Sequence, residues 1–418
     1  MKKLGLKFIY WILAAEARSV IRRHDPFVVG ITGSVGKTST KEAIYQVLHD
    51  EFGDDVRKNY GNLNAEIGIP LTILGYEKLP PKWLWPLFLI SAYFRTYQKK
   101  YPKYLVMEWG VEHKGDIAYF GSILRLDIAV ITSAEGAHLA NFGEADQYQK
   151  EKLSIIREIK DGGTVIACSD DPVLRNIDFA KTIFFAISDQ KADFCAENIK
   201  PSLTGTEYRI CSVGQKIAIR SRLLGGYLVA SSLPAFIVGH LFGIQSLKIK
   251  KSLETVEPQN GRMRLLEGKD DCIIIDDTYN SNPASARAAF DVLEQIKYSG
   301  RKVAIIGNMN ELGKVEANEH RKLGEYSRGK ADITIFVGKN AGILAAANGE
   351  KDRVLLFDSR IELAKTLDKI IKPKDLILVK ASQNGNFFEE ICKQLMKKPE
   401  KASELLVRQS KFWLKKKH

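Results

Sequence analysis

Residues 30–40 read Gly-Ile-Thr-Gly-Ser-Val-Gly-Lys-Thr-Ser-Thr, and they leave the chain few ways to fold. A short apolar run (Phe27 to Ile31) enters a glycine-rich turn, and a helical pattern (Lys41 to Leu48) leaves it. Strand, tight turn and helix in that order, with Gly36-Lys37-Thr38 at the junction, form the context of a phosphate-binding P-loop. Backbone N–H groups around Gly33, Ser34 and Gly36 and the helix N-terminus would cradle the phosphates of a nucleotide such as ATP. Lys37 would reach the β- and γ-phosphates, and the Thr38 hydroxyl, followed by Ser39, would hold Mg²⁺. The common pattern wants glycine where Ile31 stands; the glycines here are Gly30, Gly33 and Gly36, which marks a particular subclass of the loop.

The rest of the chain agrees with an α/β architecture. Apolar runs of strand type alternate with helical patterns: Val28–Ile31, Tyr104–Met107, Ile128–Thr132, Thr164–Cys168 and Ile183–Ala186. That rhythm predicts a mostly parallel sheet with helices on both faces. A β-rich part, Phe194 to Ser221, and a helix, Leu228 to Leu241, follow. A boundary falls near Glu257-Pro258-Gln259-Asn260-Gly261. The rhythm then restarts at Cys272–Ile275, Lys302–Ile306, Ile333–Val337, Val354–Phe357 and Leu376–Val379, as in a second, Rossmann-like unit. The expected organisation is an N-terminal amphipathic helix (1–25), a P-loop ATPase domain (26–257), a Rossmann-like C-terminal domain (258–398) and a basic helical tail (399–418).

Charge and cysteine content narrow the function classes. The formal net charge is +13 over 418 residues, with basic residues crowding both ends, which suits an anionic partner. No nucleic-acid module accompanies that charge, so a nucleic-acid binder is disfavoured. The five cysteines form no Cys-x-x-Cys pair, which fits a reducing compartment and argues against structural zinc. Lys2-Lys3 and the apolar stretch Phe8 to Ala15 imitate a secretion signal. The P-loop follows too soon for that, and Leu4, Phe8, Trp11, Ile12 and Ala15 recur at helical spacing, so residues 4–23 read as an amphipathic helix. A second apolar segment, Trp83 to Phe94, is too short to cross a bilayer. These two segments (1–25 and 80–101) cover the core or hold a cytoplasmic protein against a membrane or a partner protein.

Other candidate residues close strands. Glu108 follows Tyr104–Met107, where ligands bind in doubly wound sheets, and a carboxylate there could hold Mg²⁺. His138 follows Ile128–Thr132 on the same edge. Asn62 and Asn64 lie in the turn Tyr60-Gly-Asn-Leu-Asn-Ala. Asp276-Asp-Thr-Tyr-Asn280-Ser-Asn282-Pro283 closes one strand and opens a helix, with Ser285 in its first turn; its polar density suggests a ligand site beyond an N-cap.

Taken in order, these segments resemble the Mur ligase family of ATP-dependent amide-bond ligases. The resemblance runs from about Pro26 to about Gln394, through Gly61-Asn-Leu-Asn-Ala-Glu-Ile-Gly-Ile-Pro, Glu108-Trp-Gly, Ala137-His-Leu, Glu151-Lys-Leu, Asn260-Gly-Arg-Met, the Asp276 segment, Ile306-Gly-Asn-Met-Asn and Val379-Lys-Ala-Ser. It implies that a substrate carboxylate attacks the γ-phosphate of ATP and that an amine captures the acyl phosphate. The implied substrates are those of peptidoglycan assembly, D-alanyl-D-alanine and a UDP-muramoyl tripeptide. It also implies two Mg²⁺, one held by Thr38 and Glu108, the other by His138 and a carbamylated Lys152, with Lys150 as the fallback. Asn62 and Asn64 would touch substrate. Asn280 and Asn282 would contact adenine and ribose, Arg262 and Lys380 would reach the phosphates, and His320 is a further nucleotide candidate. The family usually has a UDP-binding domain ahead of the P-loop and Gly-x-His-Asn where Tyr227-Leu228 stand, with another Asn where Ser231 stands. Those departures leave open a lipid-linked or folylpolyglutamate-like acceptor, or a scaffold that binds nucleotide without catalysis.

Overall fold

The computed structural model describes residues 2–61, 63–81, 84–134, 145–383 and 385–417. The chain divides into two compact units: Met1–Glu197, Arg209–Ile219 and Ala230–Glu254 form the first, and Asn198–Tyr208, Arg220–Val229 and Thr255–His418 the second.

A nine-stranded sheet runs through β1 (Phe27–Thr32), β2 (Val56–Lys58), β3 (Tyr104–Glu108), β4 (Leu126–Ile131), β5 (Ile159–Cys168), β6 (Thr182–Ala186), β7 (Phe194–Ser202), β8 (Gly205–Ser212) and β9 (Gln215–Ser221). Their spatial order is β2-β3-β1-β4-β5-β6-β7-β8-β9. The pairings of β2 through β7 are parallel. Parallel strands covered on both faces need near-continuous apolar runs, and Leu105, Val106, Met107, Ala129, Val130 and Ile131 are fully buried. The chain leaves β1 towards β2 and β3 and later crosses to β4 on its other side, so a crevice opens at the carboxyl end of β1.

Around this sheet lie α1 (Lys2–His24), α2 (Lys37–Phe52), α3 (Gly68–Ile73) and α4 (Trp85–Arg95). In α1 the inward face is Leu13, Ala14, Ala17 and Val20. Phe8 and Trp11, which share the apolar helical spacing, are 61% and 63% exposed. The four small or aliphatic residues fit closely against neighbouring elements, and the two large rings lie a turn away from that contact. Among the described residues, no helix is long and apolar enough to cross a membrane.

The second unit is built on a six-stranded sheet of β10 (Arg264–Glu267), β11 (Ile273–Asp277), β12 (Lys302–Ile306), β13 (Ile333–Val337), β14 (Val354–Phe357) and β15 (Leu376–Lys380). Their order is β10-β11-β15-β12-β13-β14, with only the β10 pairing antiparallel. Ile274, Val303, Ile305, Ile335, Ile377 and Val379 form one face of its core. The last segment, expected as a basic helical tail, is helical in short separate pieces, Pro399–Lys401, Ala402–Leu405 and Lys411–Leu414. Ion pairs explain the break. Arg408 and Lys417 are nearly buried and pair with Glu389 at 2.8 and 3.0 Å, which a straight helix could not reach.

Candidate functional site

In the first unit the site forms where β1, β3 and β4 end. The turn after β1 is possible only with glycine. Gly33 has φ of 152°, and a Cβ there would sit 1.9 Å from Thr132 Oγ1. Gly36 is left-handed, with φ of 82°, and caps α2. The end of β4 secures the loop: the N–H groups of Ser34 and Val35 donate to Ser133 Oγ at 3.0 and 3.1 Å. Lys37 Nζ donates to Gly33 O at 2.6 Å, so its charge stays within the loop.

Thr38, the second residue of α2, meets Glu108, the last of β3: the hydroxyl donates to Glu108 Oε1 at 3.3 Å. Asn64 Nδ2 donates to the same oxygen at 3.0 Å. Glu108 is 2% exposed, and the buried Lys41 Nζ lies 3.7 Å from its other oxygen. A hydroxyl and a carboxylate converging beside a phosphate loop suit Mg²⁺, which commonly takes one or two carboxylates and completes its shell with phosphates and water. Among the described residues, no group of three or more His, Cys, Asp or Glu could hold a metal by itself.

Lys152 lies on the helix Ala145–Leu153 and is 1% exposed. Its Nζ donates to Ser34 Oγ and sits 3.7 Å from the centre of the Tyr148 ring. Burial pushes its pKa well below the usual lysine value, the nearby Lys37 charge adds to this, and Asp171 opposes it. Lys150 on the same helix is exposed. His138 and Asn62 lie outside the described residues. Ser39 is nearly buried in the first turn of α2.

In the second unit, the carboxyl ends of β11, β15 and β12 lie side by side. Asp277 and Lys380 are register partners on β11 and β15. Lys380 Nζ donates to Asp277 Oδ2 at 2.5 Å and to Asn280 O at 3.0 Å. Burial, with the Asp277 charge nearby, raises the pKa of the Tyr227 phenol well above the usual value. The Arg262 guanidinium lies 4.3 Å from the Tyr279 ring centre. Asn280 Oδ1 accepts from Ser281 N at 2.9 Å. Asn282 forms a reciprocal cap with Ser285 at the start of helix Pro283–Gln295. Asp276, next to the ion pair, has its carboxyl pushed up to about 6 by burial. His320 is fully buried; Nε2 accepts from Met309 N at 3.0 Å and Nδ1 donates to Glu316 O at 2.7 Å. Burial lowers its pKa, so the neutral ring props the loop after β12.

Three supports escaped the sequence reading. Asn59 is buried and brackets Glu108: its Oδ1 accepts from Glu108 N at 2.9 Å, and its Nδ2 donates to Glu108 O at 3.0 Å. Ser133 holds the P-loop, and Asp171 Oδ2 accepts from Ala134 N at 2.6 Å. Asn59 stands just before the Tyr60-Gly61 turn, the one local signal available; Ser133 and Asp171 have none.

Residues 31–239 match the Mur ligase middle domain, and residues 261–383 match the Mur ligase, glutamate ligase domain. A UDP-N-acetylmuramoyl-tripeptide–D-alanyl-D-alanine ligase of Bacillus subtilis is 30% identical over 387 residues, 92% of this chain and 79% of that protein. The enzyme of the same name from Escherichia coli is 28% identical over 388 residues, covering 91% and 79%. Among solved structures, the MurF ligase of Thermotoga maritima in complex with ADP is 26% identical, with a TM-score of 0.78 over 94% of this chain and 84% of that one. A folylpolyglutamate synthase of Mycobacterium tuberculosis shares the fold alone, at 14% identity and a TM-score of 0.63.

Proposed function

Because the chain belongs to the Mur ligase family, we propose that it is an ATP-dependent carboxylate–amine ligase that adds D-alanyl-D-alanine to a UDP-muramoyl tripeptide. The observation that carries this reading is the convergence of Lys37, Thr38 and Glu108 at the end of β1 and β3. The substrate carboxylate attacks the γ-phosphorus of ATP, the bond to the bridging oxygen breaks, and ADP leaves. The amine then attacks the acyl carbon and phosphate departs. Such chemistry asks the protein for position and charge rather than covalent help. Lys37 swings from Gly33 O to the phosphates. Thr38 and Glu108 hold Mg²⁺, which supplies further charge neutralisation when bound.

Lys152 has a second task in this reading. Its depressed pKa favours the neutral amine over the ammonium more than an exposed lysine would. The neutral nitrogen adds to the carbon of CO₂, one C–O π bond opens, and the proton goes to solvent. The carbamate offers oxygen atoms to a hard cation, which an ammonium cannot do. A second Mg²⁺, with His138 as another ligand, belongs to the same proposal. In the second unit, Asn280, Asn282, Arg262 and Lys380 serve the nucleotide. Asn62 and Asn64 serve the peptide substrate. The exposed aromatic faces of α1 and α4 make a surface for a membrane or a protein partner.

The test is phosphate release from ATP with D-alanyl-D-alanine, with and without UDP-N-acetylmuramoyl-tripeptide. Release that needs both, with the matching mass gain on the sugar peptide, is the expected result. Release with another acceptor only would keep the ligase and replace the substrate. No release with any carboxylate would leave the scaffold reading.

A further inference from the structure

Helix α4 is apolar on both sides. Its inner side is anchored: Phe88 packs on Tyr76 with ring centres 4.3 Å apart, and Ala92 is fully buried. Its outer side carries Leu87, Ile90 and Phe94, and Tyr97 follows just past its end, at spacings of three, four and three, exposed by 65, 56, 68 and 55%. Tyr93 is exposed beside them. From Trp85 to Phe94 the sequence has no charged residue. A stripe of large apolar side chains facing outward over three turns is not scattered surface hydrophobicity.

The polar atoms on this stripe are already used within the chain. The hydroxyls of Tyr93 and Tyr97 bond each other at 2.9 Å, and Ser91 Oγ bonds Tyr76 OH at 2.9 Å. A protein partner reads a surface partly through directional hydrogen bonds, about one per 100–200 Å². This stripe offers few, so it fits a partner that needs none.

The rim is cationic. Between Pro70 and Met107 the chain has six basic residues and one acidic residue, Glu77. Lys78, Lys99 and Lys100 are exposed at the two ends of the apolar segment. Arg23, at the end of α1, lies 5.3 Å from the Tyr97 ring centre and donates to Thr96 O at 2.8 Å. A second copy of the chain would bring another formal charge of +13, which disfavours self-association. An anionic bilayer is attracted, and its acyl boundary asks for no directional bonds.

We propose that the outer stripe of α4 docks the protein on an anionic lipid surface. Leu87, Ile90 and Phe94 enter the acyl boundary, while Lys99, Lys100 and Arg23 stay at the level of the lipid phosphates. The helix lies along the interface, because 11 residues reach only about 16 Å of a hydrocarbon core about 30 Å thick.

The test uses the full chain and sedimentation with vesicles of phosphatidylcholine alone or with one-third phosphatidylglycerol. The wild type should bind the anionic vesicles at low salt and release them at high salt, with far weaker binding to phosphatidylcholine. The double variant Ile90→Ser, Phe94→Ser should bind at least about tenfold more weakly. Its ATP turnover in solution should be unchanged, since neither residue belongs to the ligase site, so this test and that of the ligase reading fail independently. Should the serine variant unfold, Lys99→Glu, Lys100→Glu decides by losing the anionic preference. Three results would overturn the proposal: wild type left in the supernatant with anionic vesicles, both variants bound like wild type, or a wild-type dimer in solution that the serine variant converts to monomer.

Discussion

Lys152 and Lys380 are both 1% exposed, and both stand where a sheet presents its carboxyl edge. Their surroundings differ. Lys380 faces Asp277 at 2.5 Å and donates to a backbone carbonyl as well. Lys152 faces a hydroxyl and the ring of Tyr148, with the Lys37 charge close enough to push its pKa down. A buried lysine with a carboxylate beside it is a fixed charge. One without such a partner is drawn towards its neutral form, and a neutral amine is a nucleophile. The same residue type thus gives a carboxylate-held cation in one unit and a candidate for covalent modification in the other.

Substitutions can break that contrast. The largest effect is expected from Lys37→Ala, which removes charge from the phosphates and should lower ATP turnover at least about 10³-fold; phosphate release measures it, and full activity would remove the P-loop assignment. Next is Lys380→Met, which leaves Asp277 buried without its cation. It should destabilise the protein by about 3–4 kcal/mol in urea unfolding, and Asp277→Leu in the same chain should restore much of that. A loss under 1 kcal/mol would show that the pair is not a fixed charge.

Asp276 adds a pH test. Its folded pKa is about 6, above the ordinary aspartate value of 3.8. Between those values the folded state binds more proton than the unfolded one, so stability falls as pH rises from about 4 to 6 and then levels off. The expected loss is about 3 kcal/mol relative to Asp276→Asn. Parallel curves for the two proteins would contradict it. The smallest change in stability belongs to Lys152→Met, within about 1 kcal/mol, because no buried carboxylate is stranded. Its turnover should nonetheless collapse, and Lys152→Ala should regain part of it with added short carboxylates. Wild-type rates without rescue would end the carbamate reading.

Much of the fold was legible because parallel strands are short apolar runs bounded by turns, and β12, β13 and β14 fall on the residues that the pattern marks. Glu108 was legible for the same reason, as a charge closing such a run. What the pattern missed depends on contacts between distant segments. Ser133 reaches the P-loop across 99 residues and Asn59 reaches Glu108 across 49, so neither has a periodicity to betray it. Which face of α1 turns inward was not legible, because hydrophobic size and burial are different quantities. Alanines at 14 and 17 pack closely, while Phe8 and Trp11 remain outside.

The C-terminal turns change how the protein should be handled. Arg408 holds Glu389 and donates to the carbonyl oxygens of Thr278 and Tyr279 at 2.6 and 3.1 Å. Lys417 reaches the same fully buried Glu389. Clipping these last residues, or pulling on them with a purification handle, would strip the counter-ions from a carboxylate sealed inside the second unit and slacken the backbone that carries Tyr279 and its stacked arginine. Affinity handles therefore belong elsewhere on the chain, and a protease that trims the terminus would loosen this part of the second unit from a distance.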